Sequence, residues 1–272
     1  MTSSPARDPD SSLSIAVLGL GEAGSLIARD LVAAGATVRG YDPKAVDGEV
    51  IVPDGVASAG SEAAAVAEAT LVLSVNSAKA AVRAFEAALA SLRPGAIWAD
   101  LNTASPGTKQ QLAAIGQRHG IPVTDIAMMA PVPGKGLKVP MLASGASAAT
   151  VAAQLTGLGA NVEVLDGQAG LAATRKLLRS VFYKGMAASI VEALDAARAA
   201  GLGEWLHEHI AGELAQADAA TIDRIAAGTR QHAARRGAEM AAAAEMLTDL
   251  GVPPLMADAS RALHERIAAE RP

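Results

Sequence analysis

Cysteine is absent from this chain, which rules out disulfides, thiolate metal sites and a cysteine nucleophile together. Aromatic residues make up only 2% of the 272 residues, too few to build stacking platforms for bases. The formal net charge of −5 leaves no basic surface suited to a nucleic-acid backbone. Apolar runs are broken by charges well before the roughly 18 residues that a membrane-spanning helix requires. These scarcities argue against nucleic-acid and membrane partners and toward a soluble, cytoplasmic protein. Residues 1–12, MTSSPARDPDSS, are polar and carry two prolines, so they read as a disordered tail. The apolar stretch that follows reads as a strand rather than a signal peptide. A chain of this length buries roughly 75% of its unfolded surface, so stability needs no covalent staple.

What is present is alternation. Short apolar runs at Ser14–Leu18, Thr37–Tyr41, Leu71–Val75, Ala96–Asp100, Val123–Ala127, Pro140–Ala143 and Val162–Leu165 read as strands buried on both faces. Between them, Glu22–Ala34, Ser61–Ala69, Ala78–Leu92, Ser105–His119 and Ala148–Leu158 read as helices. This order predicts an α/β fold with a parallel, doubly wound sheet. After Gly170 the strand signal ends. Leu171–Ala200, Glu204–Ala217, Ala219–Leu250 and Leu255–Arg271 read as helices, punctuated by Gly201, Gly203 and Pro253-Pro254. The expected domains are therefore 13–168, a nucleotide-binding Rossmann unit, and 169–272, an all-helical unit.

Gly19-Leu20-Gly21-Glu22-Ala23-Gly24 follows the first strand and opens the first helix, in the pattern GxGxxG. Its glycines suit a tight turn, close approach of a pyrophosphate and close helix–strand packing. The helix N-terminus then offers N–H groups and positive dipole to phosphates. Asp42 closes the second strand, where a carboxylate can accept hydrogen bonds from the ribose hydroxyls and repel a 2′-phosphate. NAD is thus favoured, with NADP as the alternative because Lys44 stands nearby. Later strand ends should reach the same crevice, which places Val75 and Asn76, and then Asn102 and Thr103, at the cofactor. Ser77 and Ser105 read as helix N-caps.

These residues, with two further motifs, resemble the β-hydroxyacid dehydrogenase superfamily, which includes 6-phosphogluconate and 3-hydroxyisobutyrate dehydrogenases. The glycine motif resembles that group's GLGxMG opening, with Ala23 in place of Met. The stretch Asp125–Gly134, DIAMMAPVPG, resembles its substrate loop DAPVSGG, with Pro133 where a substrate-binding Ser is expected. Gly170–Ser180, GLAATRKLLRS, resembles the GxxxKxxNN segment that carries the catalytic lysine, with Lys176 as the match and Arg179 and Ser180 replacing the two Asn residues. The run through Lys184-Gly185 resembles a branch whose C-terminal domain is phosphogluconate-dehydrogenase-like and whose substrate is uncertain.

The resemblance implies a Rossmann domain, an all-helical domain reached through a long helix, a homodimer, and an active site in a cleft between the domains. It implies Lys176 as general acid/base, and Met128, Pro133, Gly134, Arg179 and Lys184 as substrate-binding residues. Read from the residues alone, Arg175, Lys176 and Arg179 are equally a solvated basic stripe. Arg179 in place of Asn adds a fixed charge and a bidentate fork suited to the carboxylate or phosphate of an acidic substrate. The five histidines lie outside these motifs, and no metal site is expected. The expected activity is hydride transfer between a nicotinamide cofactor and a small β-hydroxy acid. An imine or ketimine reductase and a non-catalytic dinucleotide-binding protein are the alternatives.

Overall fold

The computed structural model describes residues 13–270 and divides into two compact units, one ending at Arg179 and the other beginning at Ser180. The first unit thus extends beyond residue 168, where the sequence pattern changes. It keeps the opening turns of the long helix that follows.

The first unit alternates in the expected way. Strand β1 (Ser14–Leu18) leads to helix α1 (Glu22–Ala33), β2 (Thr37–Tyr41), α2 (Pro43–Val46), β3 (Ala57–Ser58) and α3 (Glu62–Val66). Next come β4 (Leu71–Ser74), α4 (Ala81–Ala88), β5 (Ile97–Asp100), α5 (Pro106–His119) and β6 (Val123–Met128). Strand β7 (Pro140–Ser144), α6 (Ala148–Thr156) and β8 (Asn161–Val164) complete the sheet, and α7 (Leu171–Ala199) follows. Among the described residues the sheet has eight strands in the order β3-β2-β1-β4-β5-β6-β7-β8. The order reverses direction between β1 and β4, which makes the crevice at their carboxyl ends the expected ligand position.

Alternate strand residues feed two cores. Ile15, Val17, Leu71, Leu73, Ile97 and Ala99 pack under α1 and α6, against Ile27, Leu31, Val151 and Leu155. Ala16, Leu18, Val72 and Trp98 pack under α3, α4 and α5, against Val66, Phe85, Leu112 and Ile115. Both faces of the sheet are covered, so its strands read as near-continuous apolar runs. Trp98 and Phe85 meet with ring centroids 4.5 Å apart.

Three expectations need correction. The sheet is not wholly parallel: β7 pairs antiparallel with β6, and β8 runs parallel to β7. The loop from β6 to β7 carries only a 3₁₀ turn, Gly136–Lys138, and a parallel return would need a full crossover. Helix α2 and strand β3 occupy the stretch between Thr37–Tyr41 and Ser61–Ala69, where the expected order has no element. The segment 219–250 is two helices rather than one.

The second unit contains the remainder of α7, α8 (Gly203–Gln216), α9 (Ala219–Gln231), α10 (Ala233–Asp249) and α11 (Leu255–Ala269). The chain bends at His232, which ends α9 and begins α10, and Arg236 Nη1 donates to Thr229 Oγ1 (2.7 Å) across the bend. Ala196, Ala244, Leu247 and Ala257 form a small core. Glu192 on α7 accepts the N–H groups of Met256 (2.7 Å) and Ala257 (2.8 Å), supplying the side-chain cap that Pro254 cannot give α11. Among the described residues, no helix is long and apolar enough to cross a membrane.

Candidate functional site

The glycine motif forms the β1–α1 loop as expected, and each glycine answers a different need. Gly19 has φ +99°, and a Cβ there would meet the Val75 carbonyl oxygen at 2.6 Å. The loop therefore passes against the end of β4 too closely for any side chain. A Cβ on Gly24 would sit 1.9 Å from the Gly19 carbonyl oxygen, so helix and turn pack backbone to backbone. Gly21 differs: a Cβ there would meet nothing within 4 Å. It is also the N-cap of α1, and no side chain caps its turn. Open space before uncapped helical N–H groups is what a pyrophosphate requires. Glu22 is exposed and Ala23 half-buried at this end of the helix.

Leu20 contributes little of its own to that cradle. Its side chain is buried, and its N–H donates to Asp42 Oδ2 (2.8 Å). Asp42 Oδ1 accepts the N–H of Lys44 (2.9 Å), which makes it the N-cap of α2. The residue expected to hold ribose thus also fastens the glycine loop to the end of β2. Each of its oxygens keeps a second lone pair for a ligand hydroxyl. Beside it, the Tyr41 hydroxyl is held above its ordinary value, by partial burial first and then by the carboxylates of Glu62 and Asp42. At neutral pH it remains a hydrogen-bond donor. Val75 is buried, and Asn76 Oδ1 accepts the N–H of Ser77 (2.7 Å), closing the turn after β4.

The end of β5 carries the densest chemistry. Asn102 is buried, and its Nδ2 donates to Ser74 Oγ (3.0 Å) and Asp100 Oδ2 (2.7 Å). Thr103 is exposed, and its Oγ1 accepts from Lys176 Nζ (2.8 Å). These two expected site residues lie 73 positions apart in sequence and meet within the first unit.

Beneath them lies a group of residues that the sequence reading missed. Lys109 Nζ contacts Asp100 Oδ1 (2.6 Å), the Asp100 carbonyl (2.7 Å) and Asp125 Oδ1 (3.0 Å), with all three side chains at most 1% exposed. Asp125 Oδ2 accepts the N–H groups of Gly170 (3.0 Å) and Ala173 (2.9 Å), while Ser144 Oγ accepts that of Ala172 (3.0 Å). The first turn of α7 is therefore held by side chains of β6 and β7. A signal for Lys109 was available: it falls on the same face of α5 as the buried Leu112, Ile115 and Gly116.

The substrate-loop residues separate. Met128 ends β6 and is half-buried at the edge of the core. Pro133 and Gly134 lie farther along the loop, where Asp30 Oδ2 accepts the N–H of Leu137 (2.9 Å). Gly134 faces a cavity shared with Arg29, Ala33 and Ala34, on the C-terminal half of α1 and away from its phosphate-facing end. The basic residues Lys176, Arg179 and Lys184 all stand on α7, the first two in its part within the first unit and Lys184 in its part within the second.

Comparison with known proteins agrees with this geometry. Residues 14–164 match the NAD-binding domain of 6-phosphogluconate dehydrogenase, and residues 197–267 match a domain of unknown function, DUF1932. A probable 3-hydroxyisobutyrate dehydrogenase of Mycobacterium tuberculosis is 35% identical over 144 residues, 53% of this chain and 45% of that protein. The match thus spans about half the length of that relative. A conserved hypothetical protein from Sinorhizobium meliloti is 31% identical, with a TM-score of 0.61 over 96% of this chain and 89% of the other. A reductive aminase from Aspergillus terreus, solved with NADPH and ethyl-5-oxohexanoate, shares the fold at 21% identity, with a TM-score of 0.77 over 96% and 95% of the two chains. With a glycine cradle open at Gly21, a matching nucleotide-binding domain and an all-helical unit after it, the chain belongs to the β-hydroxyacid dehydrogenase superfamily, an oxidoreductase family.

Proposed function

We propose that the protein is a nicotinamide-dependent dehydrogenase of a small, acidic β-hydroxy acid, with Lys176 as the general acid/base. The observation that carries this reading is the Lys176 Nζ–Thr103 Oγ1 contact of 2.8 Å, beside the end of β5. Lys176 is half-buried, and its helix is fastened at its first turn to the same sheet. Glycine loop, Asn102 and Lys176 all belong to the first unit.

A bound nicotinamide would supply the hydride acceptor. Gly21 and the N–H groups opening α1 would hold its pyrophosphate, and Asp42 its ribose hydroxyls, which favours NAD over NADP. Lys176 would take the substrate hydroxyl proton at Nζ, and Thr103 Oγ1 would orient that amine. Arg179 would pair with the acidic group of the substrate. Met128 is a better placed candidate for the substrate side than Gly134, because it closes β6 while Gly134 faces the C-terminal half of α1. The helical unit exposes large apolar side chains, including Trp205, Ile222 and Ile225, which supports a homodimer.

The test is a panel of small hydroxy acids with NAD and with NADP, and of cyclic imines with NADPH, followed at the absorbance of the reduced cofactor. Oxidation of a hydroxy acid is expected. Lys176→Ala should lower turnover by about 10²–10⁴-fold, and Lys176→Arg nearly as much, because guanidinium does not release its proton near neutral pH. Turnover of imines alone would favour the reductase reading. Cofactor binding without turnover of either class would favour a binding protein. Wild-type turnover in Lys176→Ala would end the acid/base assignment.

A further inference from the structure

We infer that Lys109 is a positioning residue: it ties Asn102 and Lys176 into one rigid arrangement through the carboxylates of Asp100 and Asp125. The inference rests on the reading of Lys176 as the proton-handling group.

The contacts close a ring. Lys109 Nζ donates to Asp100 Oδ1 and to the Asp100 carbonyl, and forms an ion pair with Asp125 Oδ1 (3.0 Å), so one ammonium faces both carboxylates. The second oxygen of Asp100 takes the Asn102 amide, which fixes the residue next to Thr103. The second oxygen of Asp125 takes the N–H groups of Gly170 and Ala173, which fixes the start of α7 one turn before Lys176. Lys176 Nζ then returns to Thr103 Oγ1. Each half of the candidate site hangs from one carboxylate, and the two carboxylates share one lysine.

Burial sharpens the argument. Lys109, Asp100 and Asp125 are all within 1% of complete burial, where charges are costly to keep and apolar residues of similar volume often serve stability equally well. What an apolar replacement cannot do is aim two separate segments at each other. Misplacing a reacting group by about 1 Å can cost roughly 10²-fold in rate.

The experiment compares wild type with Lys109→Met by trace acetylation across pH 6–10, reading the rate at Lys176 by peptide mass spectrometry. Lys44 and Lys138, both exposed, serve as internal references. NADH titration of the same samples reports the glycine cradle. In Lys109→Met, the Lys176 profile should change by about 3-fold or more in rate while the reference lysines and NADH affinity hold. With any hydroxy acid that is turned over, kcat should fall about 10–100-fold with little change in KM. An unchanged Lys176 profile in the folded variant overturns the inference. So does an equal change at the reference lysines with loss of NADH binding, since that marks general loosening. If Lys109→Met does not fold, the uncharged variant D100N/K109M/D125N takes its place. The same selective change at Lys176 supports the inference, whereas an unchanged profile or a second failure to fold overturns it. The underlying reading fails separately, through full turnover in Lys176→Ala, whatever Lys109→Met does.

Discussion

At Gly24 an added methyl group would lie 1.9 Å from the carbonyl oxygen of Gly19, and at Gly21 it would touch nothing within 4 Å. Two glycines three residues apart should therefore fail in different ways. Gly24→Ala is expected to lose folded protein, because the clash is with backbone that cannot move aside. Gly21→Val should fold, at a cost of about 1 kcal/mol for a poor N-cap residue. Its added branches fill the space before the α1 N–H groups, so NADH binding should weaken by about 10-fold or more, a loss above ~1.4 kcal/mol. Circular dichroism melts and calorimetric titration separate the two cases, and unchanged affinity in folded Gly21→Val would remove the pyrophosphate assignment. Asp42 is less clean to change, because the same carboxylate fastens Leu20 and caps α2. Asp42→Asn, which keeps an acceptor, should narrow the preference for NADH over NADPH in paired titrations. A wild type that already prefers NADPH would point to Lys44 instead. Lys109→Met leaves two buried carboxylates without their shared partner, a change expected to cost about 3–5 kcal/mol in urea unfolding.

At the level of elements, Asp218 opens α9 with a reciprocal cap: its Oδ1 accepts the N–H (2.9 Å) and hydroxyl (2.8 Å) of Thr221, whose Oγ1 accepts the Asp218 N–H. The Thr221 side chain, and then its backbone N–H, hold the Asp218 carboxyl below its ordinary 3.8. A carboxyl lowered in the folded state stabilises it above the unfolded value and ceases to do so as pH falls through the lower, folded one. Thermal midpoints of wild type and Asp218→Ala should thus differ at pH 5–7 and converge below about pH 4, whereas Asp218→Asn should show no such convergence. A gap that stays constant down to pH 3 would contradict the cap. Most of these elements could be read from the sequence, because strands covered on both faces announce themselves as apolar runs. The antiparallel direction of β7 was missed, although no helical run separates it from β6. The bend at His232 was missed as well. Arg236 reaches Thr229 across the corner, a contact between residues seven apart that a helical pattern does not announce, and Gly228 was the nearest breaker to it. Within the site, Gly19, Gly21, Gly24 and Lys176 follow a fixed spacing and were visible. The Lys109 ring joins residues from two strands and two helices, and only the misplaced charge on the apolar face of α5 hinted at it.

For the whole molecule, the helical unit is the less self-sufficient half: α8 and α9 contain no buried residue, while Trp205 is 60% exposed and Ile222 70%. Apolar side chains presented on such a scale suit the surface of a second copy. Sedimentation should find a dimer, and Trp205→Glu combined with Ile222→Glu should shift it toward monomer. A wild-type monomer at micromolar concentration would contradict the proposal. The scarcity of aromatic residues has one more consequence. The chain has two tryptophans, Trp98 fully buried against Phe85 in the first unit and Trp205 exposed on α8 in the second. Excited near 295 nm, Trp98 should emit toward the blue and Trp205 toward the red, so the protein carries one natural optical probe for each half. Replacing Trp205 with Phe leaves a signal that belongs to the nucleotide-binding half alone, and its unfolding can be followed without any added label.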